Sequence, residues 1–409
     1  MARSTAGARG AKPLEHNLLL TATLCLLATG AVMVYSASSG RAVLAAGGGD
    51  GTGYLMRYLL YGAIGLAVMH VLARRGLDAV LRATGPLLAL SFALLVAVKL
   101  PGLGVTVNGA QRWIGSGPLR FQPSELAKIA LLLHAVRFVA EKPRRVREPR
   151  LLVPLLAVAG MVCLLIVLEP DLGTALVIGA TLACVLVAAG MPVRYLLIAL
   201  GACVVLVLLV AVAEPYRRAR LTAFLDPWAN ASSSGFQAVQ GQIALGSGGV
   251  VGVGLGESVQ KIFYLPEAHT DFILAVIGEE LGLAGVGAVL SLYGLIAYSG
   301  FRIAQRARGS YAQLLAAGIT ALILSQAVLN VFTVLGLAPL TGVPLPLISY
   351  GSTNLLVLLA GIGLLLNVAD GGRVRLRVVE GSRGARGDRS RGDGGARGAR
   401  AGGRRRAAG

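Results

Sequence analysis

The chain has 409 residues, of which 55% are hydrophobic and 14% are charged. Soluble domains are roughly 45–50% apolar and about 25% charged, so this composition excludes a soluble enzyme and indicates a membrane protein. The net charge is +19, but much of it lies in residues 371–409, which hold 12 arginines and 3 acidic residues. Because this segment has almost nothing apolar to bury, we predict a disordered, basic, Gly/Arg-rich tail, and no nucleic-acid partner is expected.

Ten apolar stretches between residues 17 and 370 have about the 20 residues that a membrane-spanning helix needs. We therefore predict an all-α polytopic membrane protein with about ten transmembrane helices. Residues 1–16 form a basic N-terminal tail, residues 17–370 form the membrane domain, and a large loop, 214–270, joins spans seven and eight. The predicted spans are approximately 17–37, 53–72, 79–98, 122–140, 151–168, 172–189, 193–213, 271–299, 311–335 and 345–369.

Lysine and arginine set the orientation of such a protein, because they are enriched in cytoplasmic loops. One set of connecting segments, which includes both tails, holds 28 of the 38 positive residues, so both termini are predicted in the cytoplasm. The ten others lie at or near the outer face against this rule, which indicates that they are kept there for a reason. They are Arg41, Arg57, Lys99, Arg112, Arg120, Lys128, Arg217, Arg218, Arg220 and Lys261.

Residues that often mark metal or nucleotide sites form no such pattern here. The four cysteines all fall inside predicted spans without metal-ligand spacing, so buried, inert thiols are expected. The histidines are too scattered for a metal motif, and the glycine-rich run 246–256 does not lie between a strand and a helix, as a phosphate-binding loop does. The cysteines are Cys25, Cys163, Cys184 and Cys203.

Charged residues inside membrane spans are costly and usually functional, and here they cluster towards the outer face. Glu125 and Lys128 are three residues apart in a helix that opens at Pro123, so they can face the same side and pair. Two interpretations stay open. The pair is either a salt bridge that makes both charges tolerable in the membrane, or a substrate-facing pair at the top of a cavity.

Asp271 follows the long outer loop and precedes an apolar run. It is a candidate helix cap, which would be a purely structural role, and a candidate functional carboxylate. Glu279 and Glu280 lie roughly 12–14 Å deeper at 1.5 Å per residue. Because two adjacent carboxylates cannot both face lipid, at least one should point into the bundle or pair with a cation. A structural partner role is favoured for Glu280, and Glu279 is left open.

Three outer regions are predicted to converge on one site in the outer leaflet. The first, residues 112–128, opens with Arg112, a candidate anion-binding residue, beside Trp113, a candidate interfacial anchor. The second is the loop from 214 to Asp271, which is long enough to be functional and is expected to fold back on the membrane. The third, 339–354, has closely spaced prolines before a hydroxyl-rich turn, which predicts a broken or re-entrant start to the last span.

Six motifs in this order resemble the SEDS family, named for shape, elongation, division and sporulation, over about residues 15–370. They are NGAQRWI (108–114), FQPSELAK (121–128), EPDLGTA (169–175), GFQAVQGQIALGSGG (235–249), YLPEAHTDFILAVIGEELG (264–282) and GVPLPLISYGSTN (342–354). One departure is visible: the family usually reads SYGGSS where this chain reads Ser349-Tyr350-Gly351-Ser352-Thr353-Asn354, and a lost glycine restricts the backbone there.

The resemblance implies polymerisation of peptidoglycan strands from lipid II, with Asp271 as the essential acidic residue, and ten spans with both ends inside. Carried over by motif, the expected substrate-binding residues are Arg112, Glu125, Lys128, Gln240, Glu267, His269 and Ser349. A carboxylate general base suits this reaction, because the attacking sugar hydroxyl is a poor nucleophile. Arg112, Lys128 and the cluster at 217–220 are candidates for stabilising the leaving pyrophosphate. The sequence contains no recognisable set of metal ligands, and a divalent cation, Mg²⁺ or Mn²⁺, is compatible with stabilising the same pyrophosphate.

The PEAHTDF form and the extended cytoplasmic tails are more similar to the division-type branch of the family than to the elongation-type branch. The resemblance then implies action at the division septum with a class B penicillin-binding transpeptidase and other division proteins. The basic tail is expected to lie near anionic lipid head groups, or else to bind a cytoplasmic division protein. Three alternatives stay open: an elongation-type polymerase, a lipid II flippase, which would need a charged path to the cytoplasmic half, and a scaffold that only activates the transpeptidase.

Overall fold

The computed structural model describes residues 12–44, 52–107, 110–115, 120–143, 146, 148–195, 197–198, 201, 222–233, 235–265 and 268–372. They all belong to one compact unit, residues 1–375. The predicted basic C-terminal tail therefore lies outside the described residues, as do most of the predicted span 193–213 and the arginines at 217, 218 and 220.

The regular secondary structure of the described residues is helical apart from one short hairpin, which the sequence did not predict. Strands β1 (Gly104–Val107) and β2 (Ala110–Ile114) pair antiparallel, with Gly104 opposite Ile114. A 3₁₀ turn, Pro149–Leu152, leads into α5. In chain order the helices are α1 (Leu14–Leu44), α2 (Thr52–Arg74), α3 (Leu77–Ala97), α4 (Pro123–Glu141), α5 (Val153–Leu168), α6 (Leu172–Ala188), α7 (Phe236–Ser247), α8 (Gln260–Phe263), α9 (Ile273–Arg306), α10 (Ser310–Val334) and α11 (Ser352–Ala369).

Each predicted span other than 193–213 corresponds to one of these helices. Among the described residues, seven helices are long and apolar enough to cross a membrane, and α6 is a shorter apolar helix. The prediction of a helical, multi-pass membrane protein is therefore confirmed. Helix α1 begins earlier than predicted, at Leu14, and buries Glu15 and His16.

Polar contacts identify which helix ends lie together. At one end, called the tail end, Glu15 of α1 pairs with Arg306 of α9 at 2.5 Å, and His16 lies 2.9 Å from Asp370, just after α11. At the other end, called the loop end, Lys99 after α3 donates to the carbonyl oxygen of Leu168 in α5 at 2.7 Å. These contacts place the start of α1 beside the ends of α9 and α11, and the end of α3 beside the end of α5.

Burial separates the inner helices from the outer ones. Most residues of α4, α10 and α11 are buried, whereas α2, α3 and α5 expose many large apolar side chains, as lipid-facing helices do. The expectation of buried cysteines is wrong for Cys25 and Cys184, which are exposed on the apolar outer surface of their helices. Residue 203 lies outside the described residues.

Helix α9 is broken at Gly282, where the backbone is left-handed with φ 67° and ψ −165°. A break leaves helix carbonyl and amide groups without their usual partners. Here the glycine-rich run supplies them: the amides of Val253 and Gly254 each donate at 3.0 Å, to the carbonyls of Glu279 and Glu280 respectively. In return, the amides of residues 283 and 284 donate to the carbonyls of residues 249 and 250 at 2.9 and 3.0 Å. The glycine-rich run thus completes the broken helix.

Candidate active site

The carboxylate of Asp271 lies at the loop end, in the turn directly before α9. Phe272, not Asp271, occupies the N-cap position of α9, and it makes no side-chain capping hydrogen bond. Asp271 is half-buried, whereas every residue from 272 to 280 is buried. The hydroxyl of Thr270 donates to Oδ1 of Asp271 at 2.8 Å. The structure therefore gives this carboxylate a place at the edge of the buried bundle, outside the helix.

The backbone of Asp271 is tied to the proline-rich loop, residues 339–351. Nδ2 of Asn330 in α10 donates to the carbonyl of Asp271 and to the carbonyl of Val343, both at 2.8 Å. Gly342 has a positive φ of 67°, and a Cβ atom placed on it would lie 3.7 Å from Oδ2 of Asp271. The loop thus passes directly beside the carboxylate.

His269 and Ser349, two predicted substrate-binding residues, lie in these same segments. The amide of Tyr350 donates to the carbonyl of His269 at 2.9 Å, and the His269 ring lies 4.6 Å from the Tyr54 ring and 5.7 Å from the Tyr350 ring. The hydroxyl oxygen of buried Ser349 accepts from the amide of Leu345 at 2.8 Å, which shapes the loop. The prediction that residues 339–354 break the start of the last helix is confirmed, because α11 begins only at Ser352.

Glu125 and Lys128 form the predicted pair, with Nζ and Oε2 2.8 Å apart and side chains that are 3% and 1% exposed. Lys128 also donates to Oε1 of Gln326 in α10 at 3.0 Å. Nε2 of Gln326 in turn donates to the carbonyl of Pro344 at 2.9 Å and to Oδ1 of Asn354 at 3.1 Å. The pair is sealed inside the bundle and reaches the proline-rich loop through Gln326.

Arg112, on β2, binds protein carbonyls at the end of α5. Its Nε donates to the carbonyl of Glu169 at 2.9 Å, and its Nη2 donates to the carbonyl of Pro170. Lys99 caps the preceding carbonyl, that of Leu168. Because helix C-termini carry negative partial charge, both cations are well placed there. The guanidinium therefore anchors the hairpin to the turn between α5 and α6.

That turn carries two acidic residues with different surroundings. Asp171 is the N-cap of α6 and accepts from the amide and the hydroxyl of Thr174, at 3.1 and 2.9 Å. Glu169 is fully buried, and neither of its carboxyl oxygens has a hydrogen-bond partner among the described residues. Burial, reinforced by the nearby Asp171 charge, raises the pKa of Glu169 to about 8. Glu169 therefore keeps its proton to a higher pH than an ordinary glutamate does.

The two deeper acids of α9 are held by separate partners. Glu280 pairs with Lys261 at 2.6 Å and accepts from the hydroxyl of Ser36 at 2.7 Å, so the expected cation partner is confirmed. Glu279 accepts from the hydroxyl of Ser258 at 2.5 Å and from the amide of residue 259 at 3.0 Å. Lys261 also donates to the carbonyl of Gly256 at 2.8 Å, which holds the glycine-rich run in place.

The remaining predicted site residues have no described contact with Asp271 or lie outside the described residues. Gln240 is half-buried on α7, next to Gly241, whose Cα packs against the ring of Phe272 beside Asp271. Glu267 lies outside the described residues, as do Arg217, Arg218 and Arg220. Within the described ranges, no three His, Cys, Asp or Glu side chains are grouped as they would be to hold a metal ion.

Reasoning from the sequence singled out neither Gln326 nor Asn330, although a signal was present. Two amides four residues apart in an apolar span fall on one helix face, and polar side chains inside a membrane span usually have a partner or a function. Lys261 was recognised as an outer cation, but not as the partner of Glu280.

The three residues that depart from the family pattern all make contacts. The hydroxyl of Ser352 donates to the carbonyl of Arg120 at 3.3 Å, and the amide of Gln122 donates to Oγ1 of Thr353 at 3.1 Å. Oδ1 of Asn354 accepts from Gln326. The start of α11 is therefore bound to the start of α4 and to α10 through side chains.

These features define a polytopic helical membrane protein with a half-exposed carboxylate at one end of a bundle that buries several ion pairs. The family model of the FtsW/RodA/SpoVE cell cycle proteins matches residues 16–373, and the chain belongs to this family.

Curated relatives match over most of their length. A probable peptidoglycan glycosyltransferase FtsW of Thioalkalivibrio sulfidiphilus is 41% identical over 386 residues, covering 92% of this chain and 96% of the relative. The stage V sporulation protein E of Bacillus subtilis is 39% identical over 357 residues, covering 86% of this chain and 96% of the relative.

Solved structures match as well. A chain from a peptidoglycan synthase complex, described as coordinating polymerisation and crosslinking, superposes with a TM-score of 0.71 at 31% identity, covering 86% of this chain and 96% of its own. The rod shape determining protein RodA of Thermus thermophilus superposes with a TM-score of 0.65 at 30% identity, covering 87% of this chain and 97% of its own.

Proposed function

We propose that this protein is a peptidoglycan glycosyltransferase that polymerises lipid II at the outer face of the cytoplasmic membrane during septal wall synthesis. It does so as a ten-span protein with both termini in the cytoplasm. One observation carries the proposal: the half-exposed Asp271 carboxylate lies at the loop end, in a chain 41% identical to a probable peptidoglycan glycosyltransferase FtsW. A carboxylate in that position meets the need of the reaction for a base at the outer membrane surface.

Asp271 acts as general base in an inverting transfer. The 4-hydroxyl of the acceptor sugar attacks the anomeric carbon of the donor sugar and loses its proton to the Asp271 carboxylate. The new glycosidic bond forms as the bond to the pyrophosphate oxygen breaks, and undecaprenyl pyrophosphate leaves with the electron pair. Oδ1 of Asp271 accepts from Thr270, and Oδ2 faces Gly342, on the side of the proline-rich loop.

The other predicted substrate-binding residues fall into groups according to the contacts that they make in the structure. Arg112 and Lys128 are held by protein partners, which supports an organising role for both around the site. Glu125 shares that role with Lys128. His269 and Ser349 shape the segment and the loop on either side of Asp271, and Gln240 and Glu267 are the remaining substrate-binding residues of the proposal. The arginines at 217, 218 and 220 stabilise the negative charge of the leaving pyrophosphate, and a bound Mg²⁺ or Mn²⁺ would be compatible with the same role.

The partner that follows from this function is a class B penicillin-binding transpeptidase, which crosslinks the new strand. The similarity to a chain from a complex that coordinates polymerisation and crosslinking supports this choice. Other division proteins bring the pair to the septum, and the basic tail lies against anionic membrane lipids. No nucleic acid takes part.

The buried charges favour polymerisation over transport of lipid II. Glu125 with Lys128, and Glu280 with Lys261, are neutralised inside the bundle at 2.8 and 2.6 Å. A flippase needs polar groups that face a path between the two leaflets. These pairs instead hold helices and loops to one another.

The test is polymerisation of purified lipid II by vesicle-embedded protein together with its transpeptidase partner, with glycan chains resolved on gels. Wild-type protein and Asp226→Asn should both make polymer, because Asp226 is an exposed loop residue whose carboxylate accepts from the amide of Ala229, its neighbour in the same turn. Asp271→Asn, at the wild-type melting temperature, should make none. Wild-type protein that moves labelled lipid II across the membrane without polymerising it would overturn the proposal.

A further inference from the structure

Two buried amide side chains on α10 face the proposed site. Gln326 and Asn330 are four residues apart, so they lie on one face of the helix, and they are 0% and 1% exposed. Buried amides are costly unless they are hydrogen-bonded, so their partners indicate what they hold. Both bond to the proline-rich loop: Gln326 to the carbonyl of Pro344, and Asn330 to the carbonyl of Val343.

Asn330 has one further partner, and it is the carbonyl of Asp271 at 2.8 Å. The two hydrogens of Nδ2 are therefore shared between two segments that are distant in sequence, the turn before α9 and the proline-rich loop. Oδ1 of Asn330 has no hydrogen-bond partner among the described residues. The amide is thus oriented by its donor side, and its contacts join these two segments.

We propose that Asn330 is a positioning residue for Asp271. It fixes the backbone of Asp271 against Val343 and thereby sets where the carboxylate lies relative to the loop that passes beside it at Gly342. This inference deepens the proposed function, on which it rests, and it assigns a role to a residue that touches no substrate.

Position matters here because a general base works only within hydrogen-bond reach of the proton that it takes. A misplacement of about 1 Å can cost roughly 100-fold in rate. The contact from Thr270 comes from the adjacent residue. The hydrogen bond from Asn330 comes from a buried helix, so it joins the backbone of Asp271 to the bundle.

The experiment compares Asn330→Leu, which keeps the approximate size and removes both donors, with Thr320→Val as a matched control. Thr320 is also buried on α10, and its hydroxyl donates to the carbonyl of Ala316 within the same helix. In the lipid II assay we expect kcat of Asn330→Leu to fall about 10- to 100-fold, with KM for lipid II within about threefold of wild type. Thr320→Val should keep both constants.

A second readout does not depend on activity. Hydrogen exchange should speed up in residues 268–272 and 339–350 of Asn330→Leu, and not in the rest of α9 or in Thr320→Val. If Asn330→Leu does not fold, Asn330→Asp, which has the same shape and lacks the amide donors, takes its place with the same expectations.

Three results would overturn the inference: a wild-type kcat, a rise in KM that accounts for the whole loss of rate, or unchanged exchange in both segments. If wild-type protein does not polymerise lipid II, the proposed function fails, and the exchange measurement still decides whether Asn330 joins the two segments.

Discussion

Two kinds of charged residue lie near the loop end, and their surroundings differ. The pairs Glu125–Lys128 and Lys261–Glu280 are buried, with every side chain at most 3% exposed, and each has further hydrogen bonds to neighbouring elements. Asp271 is half-buried and lies outside its helix, with its backbone, rather than its carboxylate, anchored by Asn330. The buried pairs bind elements together, whereas Asp271 is held in place with its carboxylate at the edge of the bundle.

This difference separates residues that matter for folding stability from a residue that matters for the reaction rate. Burying an ion pair stabilises a fold little, yet removing one partner is severe, because a buried charge is left alone. Replacing a partly exposed carboxylate by a neutral side chain changes the free energy of unfolding little, but it lowers the reaction rate when that carboxylate is the general base. Substitution of one partner in a buried ion pair should therefore lower the stability of the fold. Substitution of Asp271 should lower the reaction rate alone.

The largest stability effect is expected for Lys261→Met, which leaves Glu280 buried without a cation. We expect a loss of about 3–5 kcal/mol in the free energy of unfolding, measured by denaturation in detergent. The double variant Lys261→Met/Glu280→Met should recover most of this loss, because no charge is then left unpaired. Glu257→Gln, an exposed acid in the same loop, is the control and should change stability little. Equal losses in the single and double variants would contradict the pairing.

Glu169 gives a pH-dependent effect of intermediate size. Its pKa is about 8 in the folded protein against an ordinary value of 4.5. Between these values the folded state keeps a proton that the unfolded chain releases, so this group makes the protein less stable as the pH rises. Relative to wild type, Glu169→Gln should gain stability as the pH rises from about 5 to 8, and the gain should level off above that. A difference between the two proteins that does not change with pH would refute the raised pKa.

The smallest of the three effects is expected for Gln326→Leu. Lys128 loses one acceptor but keeps Glu125, while the carbonyl of Pro344 and Oδ1 of Asn354 lose their shared donor. Such hydrogen bonds contribute about 1–3 kcal/mol, so the free energy of unfolding should fall by that amount, less than in Lys261→Met. A loss as large as that of Lys261→Met would show that Lys128 depends on Gln326 more than on Glu125.

Local patterns in the sequence predicted much of this molecule. Hydropathy located the described spanning helices, and the three-residue spacing of Glu125 and Lys128 predicted their pair. The prolines before Ser352 predicted the non-helical start of the last span. Each of these features depends on neighbouring residues, which is why the sequence alone was sufficient.

Features that depend on distant segments were not predicted. The break at Gly282 is completed by backbone groups some thirty residues earlier, and Lys261 reaches Glu280 only because the loop folds back onto α9. Arg112 was predicted to bind an anion, and in the structure it donates to carbonyls at the end of α5, a helix that follows it in the chain. Periodicity carries no information about such pairings.

The most direct test of the account separates binding from chemistry at Asp271. Fluorescent lipid II binding and single-turnover bond formation are measured on wild-type protein and on Asp271→Asn of equal melting temperature, each with its transpeptidase partner. We predict binding within about threefold of wild type and a rate lower by about 10²–10⁴-fold, the usual contribution of a general base. A rate within threefold of wild type in folded Asp271→Asn would contradict the account.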